Sequence, residues 1–444
     1  MEINWFGFIF LILIAIVVSL KKSFRFIDAF VITIPFNATV IFLIDDYTAV
    51  NLPLALLVLS TISYFIKKVL FRNLSIPKNL INSLTWLVLI ALIAIFSEMM
   101  PFIINGDYMI LDRYTIGVYY AEEIPLYPSI QWITQLLYFL IGLFVVYLIS
   151  VSYTSIHGIK RLLKLLLSGI TFMIFWGWFG DLCILLNISY PYQLFNHLGM
   201  SKEGISILYN WPRMASVTME ASYFAQLLIP VTPFFYWFSQ KNSNFIFSKN
   251  YHLSMYLVSM ISVLIAYTTT GVIGFLLIIG LLLINRIRFF NRISKYILTL
   301  FYLGLSVIVL IYISVYLVNI ADTYSGVERF KTVYLGFEYF LDYPILGLGW
   351  GVFPTYDLFV NLLVNFGILG TFSFFIFILN IFIRFKNKIK LNNKYKSLNK
   401  AGLESLILIL IVSELSGFIY HSQYFWLYIG IAISISSLNI QKEA

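Results

Sequence analysis

The chain has 444 residues, 61% of them hydrophobic and 11% charged, with a mean hydropathy of +0.91 and a net charge of +9. Soluble domains carry about 25% charged residues, so a water-soluble globular protein is excluded and an integral membrane protein is implied. The only cysteine, Cys183, excludes an intramolecular disulfide.

Apolar runs long enough to cross a hydrocarbon layer roughly 30 Å thick as helices recur along the chain. They predict spans over 4–20, 27–44, 50–66, 80–104, 130–152, 164–187, 221–239, 253–269, 271–285, 296–318, 357–383, 402–420 and 424–440. The expected architecture is therefore an all-α polytopic membrane protein of about thirteen helices, one integral domain over 1–444. Glu2 precedes the first run and Lys21-Lys22 follows it, the reverse of a secretory signal, which predicts an anchor with the N-terminus outside. An odd number of spans then places the C-terminus in the cytoplasm.

Basic residues gather in every second loop, and of the 29 Lys and Arg only Arg113, Lys202, Arg213, Arg329 and Lys331 fall elsewhere. By the positive-inside rule the clusters are cytoplasmic. Net charge therefore reports topology, and no nucleic-acid partner is expected. The cytoplasmic loops are short. Three longer segments face outward, 105–129, 188–220 and 319–356, and function is expected there, since loops on a rigid scaffold concentrate binding and catalytic groups.

In the third segment Phe330, Val333, Tyr334, Phe337 and Leu341 recur at helical spacing among Lys331, Glu338 and Asp342. That pattern predicts an amphipathic helix lying on the outer membrane surface and ended by Pro344. Gly347, Gly349 and Gly351 follow in "GLGWG", after which the chain re-enters the membrane near Tyr356 or Asp357. A dinucleotide loop would need a preceding strand and an acidic residue about 20 positions on, inside a βαβ unit. Two readings remain: the glycines let the backbone turn tightly beneath Trp350, or their N–H groups form an anion nest beside a phosphate.

Arg213 precedes one span, with Glu220 seven residues on and on the same face if helical, and Arg329 opens the amphipathic helix. A guanidinium keeps its charge and offers a planar fork to phosphate oxygens. Two of them on the outer rim fit a lipid-linked diphosphate; the plainer alternative is snorkelling or a local salt bridge. Glu220 is a candidate base for a sugar hydroxyl, or an ion-pair partner of Arg213. Glu414 and His421, again seven apart, are candidate substrate-binding groups near the outer end of a span, with a helix-end cap as the alternative for the histidine, and Asp181 lies near the outer end of its own helix. The carboxylate pairs Asp45-Asp46, Glu122-Glu123 and Glu338/Asp342 lack an accompanying histidine, so no metal is expected. Nucleophile elbows, Walker loops, HExxH and CxxC patterns are absent, so neither covalent catalysis nor a cofactor is expected.

Two stretches, "ERFKTVYLGFEYFLDYPILGLGWGVFPTYDLFVNLLVNFGILG" and "RMASVTMEASYFAQLLIP", together with the hydropathy profile over about 80–440, resemble the bacterial O-antigen polymerase and O-antigen ligase superfamily. The first is similar to the family's arginine, amphipathic helix, Pro-x-x-Gly-x-Gly turn and re-entering helix; the second resembles a segment of capsule and exopolysaccharide polymerases. The resemblance implies a GT-C-type glycosyltransferase of the bacterial cytoplasmic membrane. Such an enzyme acts at the outer face on an undecaprenyl-diphosphate-linked oligosaccharide, without metal and with inversion, and a chain-length regulator protein is a candidate partner. The resemblance further implies that Arg213 and Arg329 match the family's functional arginines and that Gly347 and Gly349 belong to a turn that sets Arg329 over the cavity, while Tyr356 stands where ligases of the family commonly carry a histidine. That departure favours a polymerase over a ligase. A transporter or lipid flippase is the rival from another class; its paired broken helices are not evident from Pro35 and Pro230.

Overall fold

The computed structural model describes residues 2–21, 23–43, 49–71, 77–112, 122–197, 207–208, 211–240, 245–287, 324–390, 395–416 and 421–438. Long Leu, Ile, Val and Phe runs become helices, because helical backbone satisfies its own N–H and C=O groups where water is absent. The protein is mostly helical: α1 Trp5–Leu20, α2 Phe26–Thr33, α3 Leu52–Phe71, α4 Lys78–Ser97, α5 Met100–Ile104, α6 Ile130–Ser152, α7 Ile156–Leu185, α8 Ala221–Leu228, α9 Thr232–Ser239, α10 Lys249–Ile265, α11 Thr269–Ile287, α12 Tyr324–Asp342, α13 Leu358–Lys390, α14 Lys396–Leu415 and α15 Gln423–Ser436. Among the described residues four stretches are long and apolar enough to cross a membrane: Lys78–Ile104, Ile130–Ser152, Ile156–Leu185 and Leu358–Lys390. Trp5–Leu20, Leu52–Lys67, Thr269–Leu283 and Gln423–Ser436 are shorter apolar helices. The expected span over 296–318 lies outside the described residues.

Several expected spans are not simple helices; 80–104, for one, is α4 and α5 with a turn at Glu98 and Met99 between them. The run 27–44 is helical only as α2; residues 34–38 turn, and Val40–Leu43 form strand β2, between β1 (Glu2–Ile3) and β3 (Ala49–Asn51). Pro35 has no N–H for the carbonyl four residues back, so the helix stops. The freed backbone is buried, as irregular backbone at such depth must be, and it is bonded from neighbouring segments. Thr39 Oγ1 donates to Phe195 O (2.9 Å), Val40 N to His197 Nδ1 (3.1 Å) and His197 N to Ala38 O (3.0 Å). The run 221–239 is two eight-residue helices, α8 and α9, joined by a 3-10 turn through Pro230. The helix α13 breaks at Gly367, where φ is +64° and ψ −167°.

That break answers the glycine question. Residues 344–349 fold into it, and the backbone groups the break releases find partners in the turn. Leu348 N donates to Val364 O (2.7 Å), Ile368 N to Pro344 O (2.8 Å), and Ser97 Oγ bonds both Leu346 O (2.8 Å) and Asn365 O (2.5 Å). Asn365 completes the seam through Phe353 N and O. Gly347 sits at φ +70°, and a Cβ there would lie 2.5 Å from Val364 O. Only glycine tolerates both the left-handed backbone and the approach. The chain is thus buried among the helices from Gly347 through Trp350.

One end of the bundle gathers the loops and short strands. Strand β4 (Met109–Leu111) pairs with β5 (Glu123–Pro125), Ile110 opposite Ile124, and this hairpin joins Leu126, Tyr339, Leu348, Phe353 and Val364 in a small second core. Helix α12 covers it with Thr332 and Tyr339, while Phe330, Tyr334, Phe337 and Leu341 remain exposed along its other side. The opposite, basic end is pinned by Asp28, fully buried, which takes Arg25 (3.2 Å) and Arg161 (2.7 Å) and accepts from the Tyr153 hydroxyl (2.7 Å).

Candidate functional site

The loop end holds a chamber of about 380 Å³, inside the roughly 300–1,000 Å³ range of small-molecule sites. Its walls come from Asn37 in the unwound stretch after α2, Gln135 and Tyr138 on α6, Tyr223 on α8, and His421 and Gln423 leading into α15. Asn37 is fixed by accepting Met219 N at Oδ1 (3.0 Å) and Asn51 Nδ2 at its carbonyl (3.3 Å). Amides and phenols of this kind bond hydroxyl-rich ligands in either sense, as donors or acceptors. Of the chamber residues only His421 is among the expected site residues; the amides gave no sign, being single polar residues in apolar runs such as "VITIPFNATVIFL".

Glu220 is the N-cap residue of α8, with extended backbone (φ −153°, ψ 161°), and its side chain makes no bond to the first amides of that helix. Ser222 Oγ donates to it (3.1 Å), and it lies within electrostatic reach of Tyr223, Tyr356 and Tyr424. Residues 213–220 are not helical, so Arg213 and Glu220 do not share a helix face as expected, and no ion pair joins them.

Arg329, on α12, lies over the Tyr356 ring with its guanidinium carbon 5.4 Å from the centroid. The Tyr356 hydroxyl donates to Glu328. Burial, with the Glu328 carboxylate beside it, pushes the phenol well above its ordinary range, and burial likewise raises Glu328 against the pull of Tyr356 and Arg329. Tyr356 therefore stays a neutral donor. Glu328, next to a noted arginine in the sequence, was not among the expected site residues.

Arg213 sits apart from this group, half-buried in a small crevice with Asp181, Tyr190 and Asn196. The crevice and the chamber have no lining residue in common; they are joined by the strip 213–220, whose Met219 lines the chamber. The two arginines thus have separate immediate surroundings, Arg213 against α7 and Arg329 against Tyr356.

The remaining expected residues have structural partners. Glu414 Oε2 accepts Phe359 N (3.1 Å) and Asp357 Oδ2 accepts Val360 N (2.6 Å), so both cap the start of α13. Helix α14 ends at Leu415 and His421 precedes α15, so Glu414 and His421 do not share a helix face. The amides that an anion nest at Gly347 and Gly349 would use are largely spent within the protein. Gly347 N donates to Tyr343 O (3.0 Å), Leu348 N to Val364 O, and Trp350 N to the Glu98 carboxylate. Glu98, buried at the end of α4, was missed because it lies inside an apolar run. Asp342 accepts from the Tyr108 hydroxyl, and Asp45-Asp46 lie outside the described residues.

Fold and site together define a helical protein with membrane-spanning character that carries, at its loop end, a polar, aromatic chamber together with Glu220, Arg213 and Arg329. No family model matches the chain, and no curated protein is significantly similar to it.

Proposed function

We propose that the protein is a polymerase that joins undecaprenyl-diphosphate-linked oligosaccharide units into a surface polysaccharide at the outer face of the bacterial cytoplasmic membrane. The observation that carries this reading is the position of Glu220. It stands within electrostatic reach of Tyr223, which lines a chamber of sugar-compatible size and chemistry, and of Tyr356, over which Arg329 lies. A base between a hydroxyl-rich pocket and a fixed cation is what glycosyl transfer from a diphosphate requires. In the reaction, an acceptor hydroxyl oxygen attacks the anomeric carbon of the donor chain while its proton passes to Glu220. The bond from that carbon to the phosphate oxygen breaks, and its electron pair leaves on the undecaprenyl diphosphate. Arg329 and Arg213 stabilise that departing charge, and a single displacement through an oxocarbenium-like state inverts the centre. The phosphate bond supplies the energy, so no nucleotide enters.

This reading includes a GT-C-like arrangement of about thirteen spans, the loop end outside, and the exposed face of α12 against the outer leaflet. A ligase differs from it only in its acceptor, and the neutral Tyr356 in place of histidine favours the polymerase. A transporter draws on one observation, the interruptions of apolar runs after α2, between α8 and α9 and inside α13.

Purified protein in nanodiscs with a lipid-linked repeat unit is expected to produce a ladder of longer glycans, which Arg329→Ala and Glu220→Gln abolish while the protein remains folded. A ladder unchanged in both variants rejects the assignment; movement of the substrate across a sealed bilayer without elongation supports transport instead.

A further inference from the structure

The crevice around Arg213 is built by small residues on α7. Gly177 and Gly180 lie one turn apart, and a Cβ at the first would sit 2.8 Å from Met214 Cγ, one at the second 3.0 Å from the Tyr190 ring. Their absence of side chains lets the strip 213–216 and Tyr190 lie directly against the helix beside Asp181. Ser216 pins the strip by donating to Met173 O (2.5 Å), and Trp176 and Phe179 fix the Tyr190 ring at centroid distances of 5.8 and 6.1 Å.

Four polar atoms around this crevice are buried without a hydrogen-bond partner among the described residues: Asp181 Oδ2, Asn196 Oδ1, the Tyr190 hydroxyl and Arg213 Nε. Asp181 is 6% exposed and Asn196 5%. Asn196 is oriented by its own amide nitrogen, which donates to Ser216 O (2.8 Å) and so leaves its oxygen for another donor. Buried polar groups are rarely left unpaired, and several around one crevice point to a common partner. The partner must satisfy two acceptors, Asp181 and Asn196, and two donors, Tyr190 and Arg213. A water does this with its two hydrogens and two lone pairs. The crevice volume of about 10 Å³ matches the single probe sphere that one water needs. A metal ion would meet the arginine, and an anion the aspartate, so neither suits the set.

We propose that one enclosed water joins Asp181, Asn196, Tyr190 and Arg213, and that Asp181 is thereby a positioning residue that holds the Arg213 guanidinium for the substrate diphosphate. The second half rests on the reading of Arg213 given above; the first half does not. Through the water, the carboxylate fixes the Nε side of the guanidinium and leaves the two terminal nitrogens to meet phosphate oxygens.

The test has a structural arm and a kinetic arm. A cryo-EM map of the full chain in nanodiscs, at a resolution that shows ordered solvent, is expected to show one peak within about 2.7–3.2 Å of all four atoms. A direct Asp181 to Arg213 ion pair, or no peak, overturns the water. In the elongation assay, Asp181→Asn retains an acceptor oxygen and is expected to stay near full activity. Asp181→Leu is expected to lose turnover on the order of 100-fold, the scale of a misplaced reacting geometry. Tyr190→Phe, which keeps the ring and deletes one donor, falls between them and serves if the leucine variant does not fold. A folded Asp181→Leu and Tyr190→Phe with full turnover overturn the positioning role. If Arg213→Ala itself retains full turnover while the peak is present, the water stands and the role given to Arg213 fails.

Discussion

At the residue scale, the sequence pointed to charges and missed amides. Arg329 was legible because a permanent cation on the side with few basic residues is conspicuous, Tyr356 only through the family resemblance, and the structure places the guanidinium over that ring. Asn37, Gln135 and Gln423 were not legible, since an amide costs little to bury once bonded and leaves no mark on a charge pattern. His197 illustrates how such neutral groups act. Its Nδ1 accepts Val40 N (3.1 Å), so the proton resides on Nε2, which donates to Gln193 O (2.8 Å). Burial holds the imidazole below its ordinary 6.5, partly offset by the bond to Gln193. The folded protein therefore binds fewer protons than the unfolded chain, and the stability His197 contributes is present above 6.5 and lost as pH falls through the lowered value. Thermal denaturation in detergent is expected to show a decline on acidification from about pH 7.5 to 5 that is reduced in His197→Asn, whose amide oxygen can accept Val40 N without titrating. Parallel curves for both proteins would remove His197 from the seam between strand β2 and the 188–197 loop.

At the element scale, long uninterrupted helices were legible and broken ones were not. The spans at 130–152 and 164–187 correspond to α6 and α7 because apolar length alone decides them. The breaks after α2 and inside α13 depend on partners more than ten residues away, Phe195 and His197 for the first and Pro344 to Leu348 for the second. Hydropathy is silent about such pairing. The α13 break carries a clear energetic consequence. Gly367 is at φ +64°, and a Cβ there would run into the carbonyl of Ile345, whereas a Cβ at Gly280 on α11 would meet nothing within 4 Å. A left-handed backbone alone costs a side-chain-bearing residue about 1–2 kcal/mol, and the clash adds to it. Gly367→Ala is expected to destabilise the protein by at least about 2 kcal/mol, while Gly280→Ala gains about 0.5–1 kcal/mol from better helix propensity. Melting temperatures of the two variants in one detergent check the contrast, and equal shifts would mean that the turn does not depend on a glycine at 367.

At the scale of the whole molecule, the two ends of the bundle differ in the chemistry they hold. The loop end carries the chamber, Glu220 and the Arg329–Tyr356 contact. The other end carries basic side chains whose roles are anchoring: Arg25 and Arg161 on Asp28, Lys400 over Trp237 at 4.2 Å, and Arg384 and Lys388 on the last turn of α15 through Ser437 Oγ and Leu438 O. Cations at a helix C-terminus meet its negative end and its unbonded carbonyls, so these residues stabilise the bundle as well as orienting it. The proposed function takes this end as cytoplasmic, as the positive-inside rule expects, and therefore needs the chamber on the outer side, where no nucleotide is at hand. Sidedness can be measured directly because Cys183, the one native thiol, is buried. In a Cys183→Ala background, Asp107→Cys at the exposed loop end is expected to react with a membrane-impermeant maleimide in intact cells. Asn250→Cys, exposed at the start of α10 on the basic end, is expected to react only after the membrane is opened. The reverse pattern would place the chamber in the cytoplasm, beside nucleotide-activated sugars, and a polyprenyl diphosphate donor at an external site would no longer be tenable.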